Sequence, residues 1–375
     1  VYSGSALAEE DKLHLFYTGN VKMDGDYDYI NNGRCSSTLH VESEDGIRFG
    51  TKEEAISWKD YPENYTCHIR DPKVWKDGEE YRMILGGRQK GDKGAVLFYK
   101  SEDLKNWKFD RDLTTENTFG YMWECPDFFT LGDQEVLSVS PQGLTREEYR
   151  FQNIYQSGYF ILKDGKPEEK DFREWDYGFD FYAPQTFQDG KGRRIIIGWM
   201  GMPDADEEYV NPTAETEGWQ HCLTVPREVT YKNAMLYQYP VEELNGLRMD
   251  GISVSGSDVE LPVNGPFDLD IKVKGEQGKI RIGENLFLDY QDGNISLALS
   301  EKAGAGRKVR KAHIPSGKVE TLRILADTTA VEIYANGGEI VFSTRYYPET
   351  DEQTVKVEAA EVDGKIYKLK NCVME

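Results

Sequence analysis

The sequence predicts an all-β protein, a propeller-like domain followed by a C-terminal β-sandwich. Three observations predict it. Short apolar or alternating segments recur along the chain, with no long helical period. A strand–turn unit returns after about 58 residues, within the range of a propeller blade. Near residue 258 the texture changes: tryptophan disappears, and the strands become shorter and more strictly alternating.

The strand candidates of the first part are Leu13–Tyr17, Ser37–Val41, Tyr81–Gly86, Ala95–Tyr99, Val136–Val139 and Arg194–Trp199, with turn residues between them. The repeat lies in Leu39–Gly46 and Leu97–Leu104, where a strand runs into a Ser-x-Asp turn and then an aromatic, Phe49 or Trp107. In the second part Phe267–Val273 alternates cleanly. Leu286–Tyr290 and Asn294–Leu299 flank Asp292-Gly293, and Ala330–Tyr334 and Glu339–Phe342 flank Asn336-Gly337, both hairpin turn signals. Several such hairpins indicate a sandwich. The join falls in Tyr237–Ser257, with Pro240, Gly246, Gly251 and Gly256. The expected division is a propeller domain at 1–240, a linker at 241–258 and a sandwich at 259–375.

Composition narrows the partners. The 375 residues carry 67 acidic and 45 basic side chains, a net charge of −22, with 12% aromatics. That charge opposes binding to nucleic acid or an anionic membrane, and the apolar run Ile195–Met200 is too short to span a bilayer. The five cysteines, Cys35, Cys67, Cys125, Cys222 and Cys372, are odd in number and form no C-x-x-C pair. They read as reduced thiols of a cytoplasmic protein. No zinc, nucleotide-binding or serine-nucleophile motif is present. The five histidines are scattered and read as packed or surface imidazoles. No metal or organic cofactor is implied.

Carboxylates set among aromatics remain. Arg70-Asp71-Pro72 precedes the strand-like Lys73-Val74-Trp75, and Trp123-Glu124-Cys125-Pro126-Asp127 precedes Phe128-Phe129. Each acid stands at the mouth of a strand beside a proline. About 53 residues separate Asp71 from Glu124, close to one blade period, which would carry both to one central pocket. Glycoside cleavage uses such a group, one acid protonated and another ionised. Burial beside Trp123 and Cys125, with a like charge nearby, would push the acid Glu124 upward. Taken singly, Asp71 also reads as half of a turn-closing salt bridge, and Glu124 as a surface glutamate.

At these residues the chain resembles glycoside hydrolase family 32, the β-fructofuranosidases. Tyr2-Ser3-Gly4-Ser5-Ala6, Arg70-Asp71-Pro72 and Glu124-Cys125-Pro126-Asp127 match its short motifs in order. Tyr177–Thr186, Ile197-Gly198-Trp199, Gly218–Glu228 and Val331–Glu339 match further stretches, the earlier ones in the bacterial sucrose-hydrolase branch. The resemblance implies a five-bladed β-propeller followed by a β-sandwich, hydrolysing terminal β-fructofuranosyl bonds with retention. It implies Glu124 as acid/base and Asp71 as the group that holds the fructose hydroxyls and stabilises the transition state. Arg70 would orient Glu124 or the sugar, and Tyr2, Ser3 and Trp199 would line the fructosyl subsite. The substrate would be sucrose, sucrose 6-phosphate or a short fructan, and the enzyme a monomer or homodimer. For a phosphate, Arg88 and Lys90 in Gly86–Gly91 are the candidates, against the reading of a solvated basic loop.

The family's nucleophile is the aspartate of a W-M-N-D-P-N-G stretch upstream of S-G-S, and these 375 residues contain no such stretch. About 240 propeller residues make about four blades of ~60. The chain begins at Val1. The expectation is therefore a chain from which the first blade, with its nucleophile, is largely missing, and which is inactive alone. Two other readings stay open: an inverting arabinosidase-like propeller enzyme with three acids, and a non-catalytic fructan-binding protein.

Overall fold

The computed structural model describes residues 1–205 and 209–370. The chain divides into two compact units, residues 1–144 with 155–173, and residues 145–154 with 174 onward.

The first unit holds three antiparallel sheets of blade type. The first runs β1 (Tyr2–Glu9), β2 (Lys12–Lys22), β3 (Arg34–Ser43), β4 (Glu53–Ile56). The second runs β5 (Tyr65–Asp77), β6 (Glu80–Gln89), β7 (Lys93–Ser101), β8 (Lys108–Leu113). The third runs β9 (Met122–Leu131), β10 (Gln134–Gln142), β11 (Gly158–Ile161), with the two-residue β12 (Arg173–Glu174) at its edge. Alternation sets the packing: Ile69, Val74, Met83, Leu85, Leu97 and Tyr99 of the second sheet bury against Phe16 of the first. The internal repeat is structural. Ser43 ends β3 and Ser101 ends β7, and each donates its hydroxyl to the aspartate two residues on (3.3 and 3.0 Å). Asp45 then accepts from the backbone of Ile47 and Arg48, and Asp103 from that of Lys105 and Asn106. The same side-chain-capped turn thus closes the third strand of successive blades.

The second unit opens with a fourth blade-type sheet. It comprises β13 (Tyr182–Gln188), β14 (Arg194–Met200), β15 (Cys222–Leu223), β16 (Arg227–Lys232) and β17 (Met235–Pro240). The path is β13-β14-β16-β17, with β15 paired to β14. Four such sheets are present among the described residues.

The sandwich is one nine-stranded sheet folded on itself. Its strands are β18 (Arg248–Asn264), β19 (Phe267–Ile282), β20 (Leu286–Gln291), β21 (Asn294–Leu299), β22 (Val309–His313), β23 (Thr321–Ala326), β24 (Ala330–Ala335), β25 (Ile340–Arg345) and β26 (Glu352–Leu369). The first half of β19 pairs with β23 and its second half with β20, the change falling between Lys272 and Gln277. Leu269, Ile271, Ile280, Leu288, Ile324 and Phe342 are among the buried side chains between the layers. Both hairpin signals hold. Asp292 and Gly293 (φ 48° and 76°), and Asn336 and Gly337 (φ 51° and 67°), take the left-handed conformations that a tight hairpin needs. The stretch 241–258 read as a linker is instead a short 3₁₀ turn, Glu242–Leu247, and the first part of β18. Gly251 and Gly256 mark register breaks in that strand, so glycine signals bulges here rather than a flexible join.

Buried ion pairs tie the fourth sheet to the sandwich. The fully buried Arg227 of β16 donates to Asp176 (3.1 Å), to Glu332 (Nε, 3.0 Å), to Gln238 (2.9 Å) and to the Ser343 hydroxyl (2.6 Å). Truncating it leaves two carboxylates buried without their cation. Arg227→Met should lower stability by about 3–5 kcal/mol in denaturant unfolding.

Candidate active site

Local backbone geometry brings the acids together. Strand pairing slips between Arg70 and Lys73 on β5–β6, and between Ser138 and Ser140 on β9–β10, where Glu124 and Asp127 flank the slip. Each slip contains an X-Pro pair, Asp71-Pro72 or Cys125-Pro126. Proline has no N–H to give a ladder, so a bulge accommodates it. Asp71 and Cys125 take left-handed backbone conformations there (φ 63° and 46°), a strained choice that clusters at functional sites. A further Cβ at Gly86, which pairs with Arg70, would lie 2.1 Å from the Trp123 carbonyl. Only glycine lets β9 come this close. Gly86→Ala should displace the Trp123–Glu124 backbone, cost about 1–3 kcal/mol in unfolding measurements, and lower turnover with it.

The side chains converge on one guanidinium. Arg70, itself buried, donates from Nε (2.9 Å) and Nη2 (2.7 Å) to Oε1 of Glu124. Its Nε also lies 3.9 Å from Oδ2 of Asp71. Gln142 donates to the other Glu124 oxygen (2.8 Å). Asp71 Oδ2 accepts from the Cys125 N–H (3.0 Å), with the Cys125 thiol at 3.7 Å, and the Asp71 N–H donates to Thr18 Oγ1 (2.9 Å). Burial pushes Asp71 up to about 6; Arg70 opposes that and the Glu124 charge adds to it. Burial also drives the Cys125 thiol well up, with Asp71 and Glu124 adding to the effect.

The remaining predicted residues fall in two places. Tyr2 accepts a hydrogen bond from Arg34 (2.7 Å), and its ring lies 5.7 Å from the Arg70 guanidinium carbon. Ser3 hydrogen-bonds the Cys125 thiol. Tyr2 and Ser3 thus join Asp71, Glu124 and Arg70 in the first unit. Trp199 belongs to β14 of the second unit, where its ring packs on His221 with centroids 4.7 Å apart. Arg88 is held by Asp92 (2.6 Å) and stands over the Tyr121 ring (4.6 Å).

Expected burial falls on the other acid. The Glu124 carboxylate keeps some exposure, 16% against 6% for Asp71, and is held by Arg70 and Gln142. The burial expected at Glu124 is greater at Asp71, because the Cys125 bulge folds over it. One cluster has metal-ligand residue types: His14, His40 and Glu42. Here His14 Nδ1 and His40 Nε2 lie 3.0 Å apart in rings 16° from parallel with centroids 5.2 Å apart. The two nitrogens therefore face one another along the line of centres, which is an N–H···N hydrogen bond and leaves no place for an ion between them. Cys35, Cys67, Cys125 and Cys222 form no disulfide among the described residues, and Cys372 lies outside them.

A model of the glycosyl hydrolases family 32 N-terminal domain matches residues 1–240, and one of the family 32 C-terminal region matches residues 284–372. The chain belongs to glycoside hydrolase family 32. It is 40% identical over 366 residues to a sucrose-6-phosphate hydrolase of Bacillus subtilis (strain 168), covering 92% of this chain and 74% of that one. It is 35% identical over 383 residues to a raffinose invertase of Escherichia coli, covering 97% and 78%. Among solved structures it is similar to the Bombyx mori GH32 beta-fructofuranosidase BmSUC1, with TM-score 0.84, 30% identity, and coverage of 99% and 79%. It is also similar to a sucrose-6-phosphate hydrolase from Lactobacillus gasseri, with TM-score 0.85, 26% identity, and coverage of 98% and 78%.

The protein is thus a family 32 glycoside hydrolase, and its site contains residues that sequence reasoning missed. Gln142 and Thr18 reach the two acids from β10 and β2, across strand pairings that no local motif announces. His68 reads in the sequence as one of five scattered histidines. Its signal was its place two residues before Arg70, on the same face of β5.

Proposed function

We propose that this chain supplies the acid/base and the transition-state stabiliser of a retaining β-fructofuranosidase acting on sucrose or sucrose 6-phosphate. The observation that carries the reading is the pair of donor contacts from Arg70 to Glu124, with Asp71 beside the same guanidinium. Sucrose 6-phosphate is the substrate named for its relatives in Bacillus subtilis and Lactobacillus gasseri, and a mutant of the Bombyx mori beta-fructofuranosidase is in complex with sucrose. Glu124 protonates the leaving oxygen and then draws a proton from the attacking water. Asp71, ionised, holds the fructosyl hydroxyls and faces the positive charge that develops at the anomeric carbon. Arg70 fixes the Glu124 carboxylate, and Tyr2 and Ser3 line the fructosyl subsite. Residues 1–240 form the catalytic domain, and the sandwich, which begins with β18, is accessory, in the cytoplasm.

Retention needs a nucleophile. We place it in a fifth blade, ahead of the first sheet described here. Support comes from the surface of that sheet. Its inner strand β1 is largely exposed, whereas most of the equivalent strands β5 and β9 is buried. Tyr2 of β1 and Val21 of β2 are exposed, as are Met23 and Tyr27 of the loop that follows β2, apolar surface of the kind that a neighbouring blade covers. The experiment is an intact mass and N-terminal sequence of active material, with hydrolysis of sucrose and sucrose 6-phosphate assayed on the same sample. A longer chain with a D-P-N-G segment and turnover supports the proposal. Full activity at the mass of these 375 residues overturns the fifth blade. Sugar binding without turnover by the longer chain favours a non-catalytic binding protein.

A further inference from the structure

We infer that His68 is a positioning residue for the catalytic acid, acting through Arg70. The inference rests on the proposed role of Glu124. The hydrogen bonds fix the chemistry of the ring. His68 Nε2 lies 3.0 Å from the Tyr29 carbonyl oxygen, which can only accept, so Nε2 carries the proton. Nδ1 then holds a lone pair and accepts from Arg70 Nη1 at 2.8 Å. The other edge of the same guanidinium grips Glu124 through Nε and Nη2. A line of directed bonds thus runs from the Tyr29 carbonyl through His68 and Arg70 to the acid. Arginine needs such support. Its long side chain has several rotamers, and a donor held at Nη1 by a fixed acceptor selects one of them.

The far end of the line is itself fixed. Tyr29 takes a left-handed backbone conformation (φ 55°) and donates its hydroxyl to the Met23 carbonyl (3.0 Å). Asp28 accepts from the backbone of Ile30 and Asn31 (2.9 Å each), and the Cys67 N–H donates to the Ile30 carbonyl (2.8 Å). The β2–β3 loop is therefore fastened to β5 beside His68. The ring stays neutral in this setting. Burial, then Arg70, Arg34 and Arg88, draw its pKa down to about 4. A protonated ring would turn Nδ1 from acceptor to donor against Arg70.

Two polar substitutions separate the functions of the ring. The amide of His68→Asn places an acceptor near Nδ1, whereas that of His68→Gln places a donor near Nε2 and leaves Arg70 without its acceptor. On sucrose and sucrose 6-phosphate, the active protein with His68→Gln should lose kcat by about 10- to 100-fold with KM within about twofold, since small displacements of a reacting group cost this much. His68→Asn should keep kcat within about threefold of the parent. In an Arg70→Lys background, His68→Gln should cost less than about twofold more, because the two act in series. Thermal midpoints of the parent and the four variants should agree within a few degrees. Equal kcat losses in the Asn and Gln variants, a KM change at constant kcat, or additive losses with Arg70→Lys would overturn the inference. Failure of the underlying reading shows separately, as unchanged hydrolysis in Glu124→Gln.

Discussion

Glu124→Gln should lower kcat for sucrose hydrolysis by about 10²–10⁴, with little change in KM. The glutamine keeps the shape of the side chain and an oxygen for Arg70, so the fold and the substrate pocket persist. What disappears is the proton for the glucosyl oxygen and the base for water. Steady-state kinetics on sucrose and sucrose 6-phosphate check both parts. A loss confined to KM would assign Glu124 to binding. The loss should shrink for a substrate whose leaving group departs without a proton, because only the second step then needs the carboxylate.

The second large effect belongs to Asp71. Its carboxyl is pushed up to about 6 by burial, with the nearby Glu124 charge adding to the shift against Arg70. If the ionised form stabilises the transition state, activity rises with pH through about 6 and falls below it. Asp71→Asn should lose about 10²–10³ in kcat/KM and lose that acid limb as well. Stability should move the other way. A carboxyl whose folded pKa is raised binds its proton more readily in the folded state, so its ionisation costs stability as pH rises from about 4 to about 6. Asp71→Asn should therefore melt higher than the parent near pH 7, with the gap closing as pH falls below about 6. The amide oxygen can still accept from the Cys125 N–H. Kinetics and thermal melts over the same pH series check the two signs together. Such opposition between stability and activity is what a buried working carboxylate produces.

Much of this was legible because local signals coincided with tertiary ones. The hairpins at Asp292-Gly293 and Asn336-Gly337 follow from turn chemistry alone. The Ser-x-Asp echo read in the sequence is the capped turn after β3 and after β7. Asp71 and Glu124 stood out because each stands within two residues of a proline, one blade apart, although both lie inside strands, β5 and β9, rather than at the strand mouths expected. Their geometry did not stand out. The left-handed residues at both bulges depend on how β5 and β9 meet, and Gly86 permits that meeting from a third strand. Burial was expected at Glu124 and is greater at Asp71, since which acid lies under the Cys125 bulge is set by register rather than composition. His68 was only half legible, for a related reason. Its importance comes from partners on the β2–β3 loop and from Arg70, and nothing in its immediate sequence encodes the first of these. The stretch 241–258 misled in the opposite direction, where glycines that mark bulges in a long strand imitate a linker.

The central claim is that Glu124 is the acid/base of a retaining fructosidase. The most direct test is azide rescue of Glu124→Ala in the active protein, with β-fructofuranosyl fluoride as substrate. Fluoride leaves without a full proton transfer, so the first step survives, and the second stalls for want of a base. Azide should restore turnover, and the product should be β-fructofuranosyl azide. Turnover that azide leaves unchanged, or an azide of α configuration, would contradict the claim.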